Sequence, residues 1–162
     1  IEGVQAGHVG TSLKHYCCNN REYSRYWLSS EIDARTLREI YLKPFEIALK
    51  AKPWTVMTSY NLVNGVRMSA NKELNEVLRN ELGFEGVIIT DDLVMGAIQD
   101  FCGEVSSAVY AVEAGNDMLI STNFESQFES IMAAIDEGRI TEERINESVR
   151  RILTMKINMG LM

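Results

Sequence analysis

Short apolar runs alternate along this chain with longer segments whose apolar residues recur every three or four positions. Short runs with polar flanks are typical of buried strands, whereas the longer periodic segments are typical of amphipathic helices. Four runs fit the strand pattern, at residues 10–16, 54–59, 87–90 and 117–121. The pattern therefore predicts four strands separated by helices.

Periodic segments predict helices over residues 34–51, 72–82, 104–113 and 125–136, with a last helix running from Thr141 toward residue 160. Asp33, Asn71 and Thr141 are predicted N-caps, because their side-chain oxygens can accept the first unpaired backbone N–H groups. Pro44 lies inside the first helix, and since proline has no N–H to donate, we expect a kink or a split there.

Strict alternation of strands and helices predicts a parallel sheet with helical crossovers, and hence the α/β class. Four strands cannot close a barrel by themselves. The chain is therefore either a small open α/β domain or a set of parallel (β/α) units forming about half of a TIM-type (β/α)8 barrel. The chain length favours the half-barrel.

Polar residues follow each predicted strand, and the carboxyl ends of parallel strands lie on one face. Asp91 and Asp92 end the third strand, and only one of them should face the site because neighbouring strand residues point to opposite sides. A carboxylate among amide and hydroxyl groups suits a polyhydroxylated substrate. These residues also have structural explanations that involve no ligand. An aspartate can cap the next helix, and the Lys14–His15 pair can lie on the surface.

Composition narrows the class of protein. With 162 residues and 46% hydrophobic content, the chain is long enough for one domain with a core. The net charge of −7 disfavours nucleic acid as a partner, and no apolar run reaches the roughly 20 residues that would cross a membrane. Nothing in the sequence calls for a metal or cofactor, and the compartment stays open. Three cysteines, Cys17, Cys18 and Cys102, are predicted to be free thiols.

Six segments, in this order, resemble the barrel domain of glycoside hydrolase family 3: SLKHYCCNNRE, TLREIYLKPFE, VMTSYNLVNG, VLRNELGFEGVIITDD, AGNDMLIS and RRILTMKINMGL. Together they cover nearly the whole chain. The resemblance implies an eight-stranded barrel or a close variant. It also implies hydrolysis with retained anomeric configuration, through a covalent glycosyl-aspartate, at the nonreducing end of a carbohydrate substrate.

The resemblance also assigns residues. Asp91 matches the family nucleophile, while Lys14 and His15 match the pair that binds sugar hydroxyls. Tyr60 is similar to the tyrosine close to the nucleophile, and Met57 and Met68 lie near positions that wall the pocket. Asn19, Asn20, Glu22 and Arg25 follow the β-glucosidase-like pattern after the Lys–His pair.

Two departures affect the expected substrate. Asp92 stands where the β-glucosidase branch has tryptophan, and Asp-Asp-Leu-x-Met resembles the β-N-acetylglucosaminidase branch instead. That second branch, however, carries its acid/base on a Pro-Gly-His-Gly type of loop, and residues 17–20 here are Cys-Cys-Asn-Asn. The sequence therefore favours a β-glucosidase-like enzyme. The alternatives are a β-N-acetylhexosaminidase, a β-xylosidase, or a non-catalytic fragment for carbohydrate binding or assembly.

The resemblance places the acid/base of the glucosidase-like branch on a separate domain, and further sugar-binding residues on earlier barrel strands. Residues 1–162 are accordingly interpreted as the last four strand–helix units of the barrel domain. We expect the remaining half-barrel and a second domain to act with them, in the same enzyme or as a partner chain. Glu22 and Asp92 are less favoured candidates for the second carboxyl group.

Overall fold

The computed structural model describes residues 1–21, 23–93, 102 and 106–162. Its principal sheet contains four strands, every neighbouring pair of which is parallel. The strands in chain order are β1 (Ser12–Tyr16), β2 (Ser29–Ser30), β3 (Thr55–Thr58), β4 (Leu62–Val63), β5 (Val66–Arg67), β6 (Val87–Asp92) and β7 (Met118–Ile120).

The principal sheet has the order β1-β3-β6-β7, so each of its strands lies beside the preceding one. Helices connect these strands on the way, as the alternation of sequence patterns predicted. The order is that of consecutive units in a (β/α) barrel, in which successive parallel strands are neighbours. Within the described residues, β1 and β7 are the two edges of this sheet.

The helices begin where the sequence places capping side chains. Asp33 accepts hydrogen bonds from the backbone N–H groups of the next helix, and Asn71 and Thr141 do the same for theirs. These three predicted N-caps are confirmed. The helices are α1 (Glu2–Gln5), α2 (residues 34–49), α3 (residues 72–81), α4 (Ser107–Glu113), α5 (Phe124–Asp136) and α6 (Glu142–Asn158).

Pro44 changes the hydrogen-bonding pattern of α2 without ending it. The helix starts with α-helical Ala34–Thr36, widens into the π-helical stretch Leu37–Leu42 and returns to α-helix at Lys43–Leu49. Pro44 lies in the first turn of that last stretch, where its missing N–H costs least. The chain therefore stays helical through the position of the predicted kink or split.

The start of α4 differs from the prediction. Residue Glu104, predicted to open this helix, lies outside the described residues. The described helix begins at Ser107, and the hydroxyl of Ser106 accepts a hydrogen bond from the Ala108 backbone N–H. A serine in extended conformation at this point marks a helix start.

A second, small sheet of order β2-β4-β5 was not predicted. Its turn consists of Asn64 and Gly65, with φ of 47° and 80°. Two successive positive φ angles are typical of the tight hairpin turn that Asn-Gly favours, so the hairpin signal was present in the sequence.

The largest buried cluster lies beneath the first part of the principal sheet, against α2 and α3. Leu13, Val56 and Ile88 are partners in register on β1, β3 and β6; Val56 and Ile88 belong to this cluster, and Leu13 packs against it. The next row on the same strands, Lys14, Met57 and Ile89, is exposed or half-buried. Alternate rows of a sheet face opposite sides. The helices therefore cover the face that carries Val56 and Ile88, and the row of Lys14, Met57 and Ile89 lies on the other face.

Candidate active site

Strand β1 carries one extra residue where it reaches the site. Lys14 is paired with Met57 and Tyr16 with Thr58, so His15 is the additional residue of a bulge. A bulge breaks the alternation of side-chain directions and re-aims the extra residue. As a result Tyr16 is fully buried, while Lys14 is exposed and His15 half-buried.

Strand β6 has a second irregularity at the same edge of the sheet. Ile89 is paired with Met118 and Asp92 with Ile120, so three steps on β6 match two on β7. At this irregularity the Thr90 hydroxyl accepts a hydrogen bond from the Ile120 backbone N–H. Asp91 lies in this bulged segment, at the carboxyl end of the strand.

The two bulges bring His15 and Asp91 together. His15 Nε2 lies 3.8 Å from Asp91 Oδ2, and the two side chains are 31% and 20% exposed. That separation exceeds a hydrogen bond, so both atoms keep the capacity to bind a hydroxyl of a ligand. The other carboxylate oxygen of Asp91 accepts the backbone N–H of Asp92 at 2.9 Å.

Burial lowers the pKa of His15, and the charges of Lys14 and Arg25 lower it further, although Asp91 opposes them. The imidazole is therefore neutral at neutral pH. A neutral imidazole has one donor and one acceptor nitrogen, which suits a sugar hydroxyl that both donates and accepts.

Tyr60 lies in an aromatic stack beside these residues. Its ring centroid is 5.4 Å from that of Tyr26, with 19° between the ring planes. The guanidinium carbon of Arg25 lies 5.2 Å from the Tyr60 centroid and 5.3 Å from the Tyr26 centroid. Burial raises the pKa of Tyr60, and the charge of Asp91 also raises it while Arg25 lowers it. Tyr60 therefore stays protonated at neutral pH.

The remaining predicted site residues occupy different environments. Met57 is half-buried in the same row as Lys14, whereas Met68 is fully buried within the large core cluster. Asp92 is half-buried at the last position of β6. Glu22 lies outside the described residues. The structure thus brings His15, Asp91 and the Tyr60 stack together. Lys14 and Met57 share a row of the sheet, whereas Met68 lies in the core.

Sequence reasoning missed Tyr26 and Arg67. Arg67 is buried, and its guanidinium donates to the backbone carbonyls of Tyr26 and Tyr60. The Asn64–Gly65 hairpin was the available signal, because it orders the strand that carries Arg67. No local pattern marks Tyr26, whose partners Tyr60 and Arg67 lie in distant parts of the chain.

Among the described residues, no group of three or more histidine, cysteine, aspartate and glutamate side chains is arranged to hold a metal ion. In the same part of the chain, no helix combines the length and apolar character that a membrane span requires. All three cysteines are free and buried, as predicted.

Comparison with known proteins identifies the fold first. The chain is 40% identical to β-glucosidase 3B from Thermotoga neapolitana, solved in complex with glucose, with a TM-score of 0.83 over 98% of this chain and 22% of that one. It also matches a family 3 β-N-acetylglucosaminidase from Paenibacillus sp. str. FPU-7 at 31% identity and a TM-score of 0.86, over 99% of this chain and 33% of that one. The predicted fold class is confirmed: the parallel α/β sheet matches part of a (β/α)8 barrel.

The family follows from sequence. Residues 1–155 match the family model described as the glycosyl hydrolase family 3 N-terminal domain. Thermostable β-glucosidase B of Acetivibrio thermocellus is 39% identical over 155 residues, which are 94% of this chain and 19% of that protein. The chain belongs to glycoside hydrolase family 3 and is β-glucosidase-like. It spans about a fifth of the length of the curated relatives it matches.

Proposed function

We propose that this chain supplies the nucleophile and part of the sugar site of a retaining β-glucosidase. The observation that carries the proposal is the half-buried carboxylate of Asp91 at the carboxyl end of β6, 3.8 Å from the His15 imidazole. The relatives named as β-glucosidases and the glucose bound to one solved structure support a β-glucoside as substrate.

In the proposed reaction, an Asp91 carboxylate oxygen attacks the anomeric carbon as the bond to the leaving oxygen breaks, and that oxygen takes a proton from a general acid. Water then hydrolyses the glycosyl-aspartate and restores the carboxylate. His15 and Lys14 bind hydroxyls of the nonreducing-end sugar, Tyr60 lies against the nucleophile and Met57 walls the pocket, whereas Met68 belongs to the core.

The second carboxyl group comes from outside this chain in our proposal. Retaining enzymes hold their two carboxyl groups about 5–5.5 Å apart. Asp92 follows Asp91 directly, and its half-buried position beside Ile120 belongs to the β6–β7 ladder. The chain alone is therefore expected to have little or no hydrolytic activity.

We also propose that residues 1–162 are the last four strand–helix units of the barrel and pack against its remaining half. The sheet ends in β1 and β7, and strand edges need a partner. Helices α5 and α6 also expose large apolar residues, including Phe124 (67%), Phe128 (63%) and Ile157 (58%). We expect the isolated chain to self-associate or to bind the missing half. Size-exclusion chromatography showing a compact, stable monomer would contradict this.

Labelling tests the nucleophile. A 2-fluoro-β-glucoside reacted with the complete enzyme should leave a covalent sugar on Asp91, located by peptide mass spectrometry. The Asp91→Asn variant is the matched control and should remain unlabelled. A label on Asp92, or no label in an enzyme that hydrolyses the parent glucoside, would refute the assignment.

A β-N-acetylhexosaminidase is the second candidate, favoured by Asp92 after the proposed nucleophile and by the fit to the Paenibacillus structure. Parallel assays with the 4-nitrophenyl β-glucoside and the 4-nitrophenyl N-acetyl-β-glucosaminide separate the two. We expect the larger kcat/KM with the glucoside.

A further inference from the structure

Arg67 joins two separate segments of the site through one buried side chain. It ends β5 and is 4% exposed. Its Nη1 donates to the Tyr60 carbonyl at 3.2 Å, and its Nη2 donates to the Tyr26 carbonyl at 2.5 Å. A single planar guanidinium therefore fixes the spacing between the two backbones.

The side chains above those two carbonyls form the aromatic stack. Tyr26 and Tyr60 lie with their rings 5.4 Å apart, and Arg25 lies against both rings while donating to the Tyr26 hydroxyl at 3.3 Å. Arg67 holds the backbones from the buried side and Arg25 contacts the rings from the half-buried side. The stack is thus held by two guanidinium groups with different partners.

The segment that follows β3 and contains Tyr60 is also anchored to the loop after β1. The Ser59 hydroxyl donates to the Cys17 carbonyl at 3.2 Å, and the Asn61 amide donates to the Cys18 carbonyl at 3.3 Å. These bonds tie the residues on either side of Tyr60 to the loop that follows His15. Arg67 holds the Tyr60 backbone between them, and the Tyr60 ring lies against Tyr26 and Arg25.

We propose that Arg67 is a positioning residue that sets the place of Tyr60 beside Asp91, with the Tyr26 ring as the surface against which Tyr60 is held. The inference rests on the proposed function, since it assigns Tyr60 a part in glycoside hydrolysis. Arg67 itself is buried beneath the two loops, and it acts on the reaction through the tyrosines.

The chemistry of arginine explains why this position needs it. Two carbonyls on different segments require two donors at a fixed separation, which the guanidinium fork provides and the point charge of lysine does not. Arg67→Lys should therefore keep the charge but lose one of the two bonds. Arg67→Met leaves both carbonyls without these donors.

A double-mutant cycle in the complete enzyme tests the proposal, with kcat and KM for 4-nitrophenyl β-glucoside as readout. Arg67→Met and Tyr60→Ala should each lower kcat, by roughly 10- to 100-fold. If Arg67 acts through Tyr60, the double variant should be no slower than Tyr60→Ala alone, because coupled residues are not additive. Arg35→Met, which removes an exposed arginine paired with Glu39, is the control and should leave kcat unchanged.

Multiplicative losses in the double variant would overturn the proposal, because a purely structural arginine lowers activity whatever stands at position 60. A wild-type kcat in folded Arg67→Met would overturn it as well. If either variant fails to fold, Arg67→Lys and Tyr60→Phe replace them in the same cycle. Should the wild type prefer the N-acetylglucosaminide, the β-glucosidase proposal fails, and the cycle is measured on that substrate instead.

Discussion

Two aspartates at opposite ends of the same sheet have opposite environments. Asp91, at the carboxyl end of β6, has a 20% exposed side chain and a long contact with His15 at 3.8 Å. Asp117 lies just before β7, and its side chain is fully buried. One of its oxygens accepts the backbone N–H of Ile88, near the start of β6, at 2.9 Å.

Asp117 is surrounded by cations. Its carboxylate contacts Arg79 from α3, and it pairs with Arg151 at 2.9 Å and with Arg144 at 3.6 Å, both from α6. The Ser148 hydroxyl adds a hydrogen bond of 2.8 Å. Burial lowers the pKa of Arg79 to about 10, although Asp117 opposes that shift. Arg79 therefore remains charged at neutral pH.

The difference between the two aspartates lies in the number of their partners. A buried carboxylate with every oxygen occupied holds elements together and has nothing left to offer a ligand. A half-buried carboxylate with few partners contributes little to stability and can react. In parallel α/β barrels the carboxyl-terminal face carries the chemistry and the opposite face carries the stability. The positions of Asp91 and Asp117 agree with this division if Asp91 has the proposed role.

The largest expected effect is on the rate at Asp91. Asp91→Asn in the complete enzyme should lower kcat for the 4-nitrophenyl β-glucoside by a factor on the order of 10⁴ or more, because the amide cannot form the glycosyl ester. The thermal midpoint should stay close to wild type. A strong loss of stability in this variant would contradict the claim that Asp91, unlike Asp117, contributes little to stability.

The next largest effect is on stability at Asp117. Asp117→Asn should lower the free energy of unfolding by about 3–5 kcal/mol, since it leaves three half-buried guanidinium groups without their fully buried counter-charge. Denaturant midpoints measure the loss, and kcat of the protein that remains folded should change little. Arg38→Met is the control: it removes the ion pair with Glu81, whose side chains are 47% and 46% exposed, and it should leave the midpoint unchanged.

The smallest effect is a pH dependence at His15. Because its folded-state pKa lies below the ordinary value of 6.5, the unfolded chain binds the proton more readily. This contribution to stability is complete above pH 6.5 and is lost as the pH falls from there through the lowered pKa. His15→Gln should flatten the dependence of the thermal midpoint on pH from pH 6.5 downward, through the lowered pKa of His15. An unchanged slope would show that other groups cause it.

The strands and the position of Asp91 were predictable because local signals specify them. An apolar run that ends in carboxylates marks the end of a buried strand, and parallel order then puts Asp91 and the Lys14–His15 pair on one face. The bulges at His15 and before Asp92 were not predictable. They depend on the register between strands, which the pattern of a single strand does not contain.

The partners of Asp117 and Arg67 were equally hidden. The sequence pattern marks Asp117 only as the first residue of a strand, although its side chain contacts cations from two helices. Arg67 lies 41 positions from Tyr26, and no spacing rule connects them. Contacts of this kind are decided by tertiary packing, after the local elements have formed.

The Asp117 cluster also determines where this polypeptide can be divided. Arg144, Ser148 and Arg151 all belong to α6, whereas Asp117 precedes β7. A chain truncated before α6 would keep the buried carboxylate of Asp117 but lose Arg144 and Arg151. Of the three arginines, Arg79 alone would then remain beside it. If β7 is transferred into another barrel, or related barrels are recombined, β7 and α6 therefore have to be transferred together.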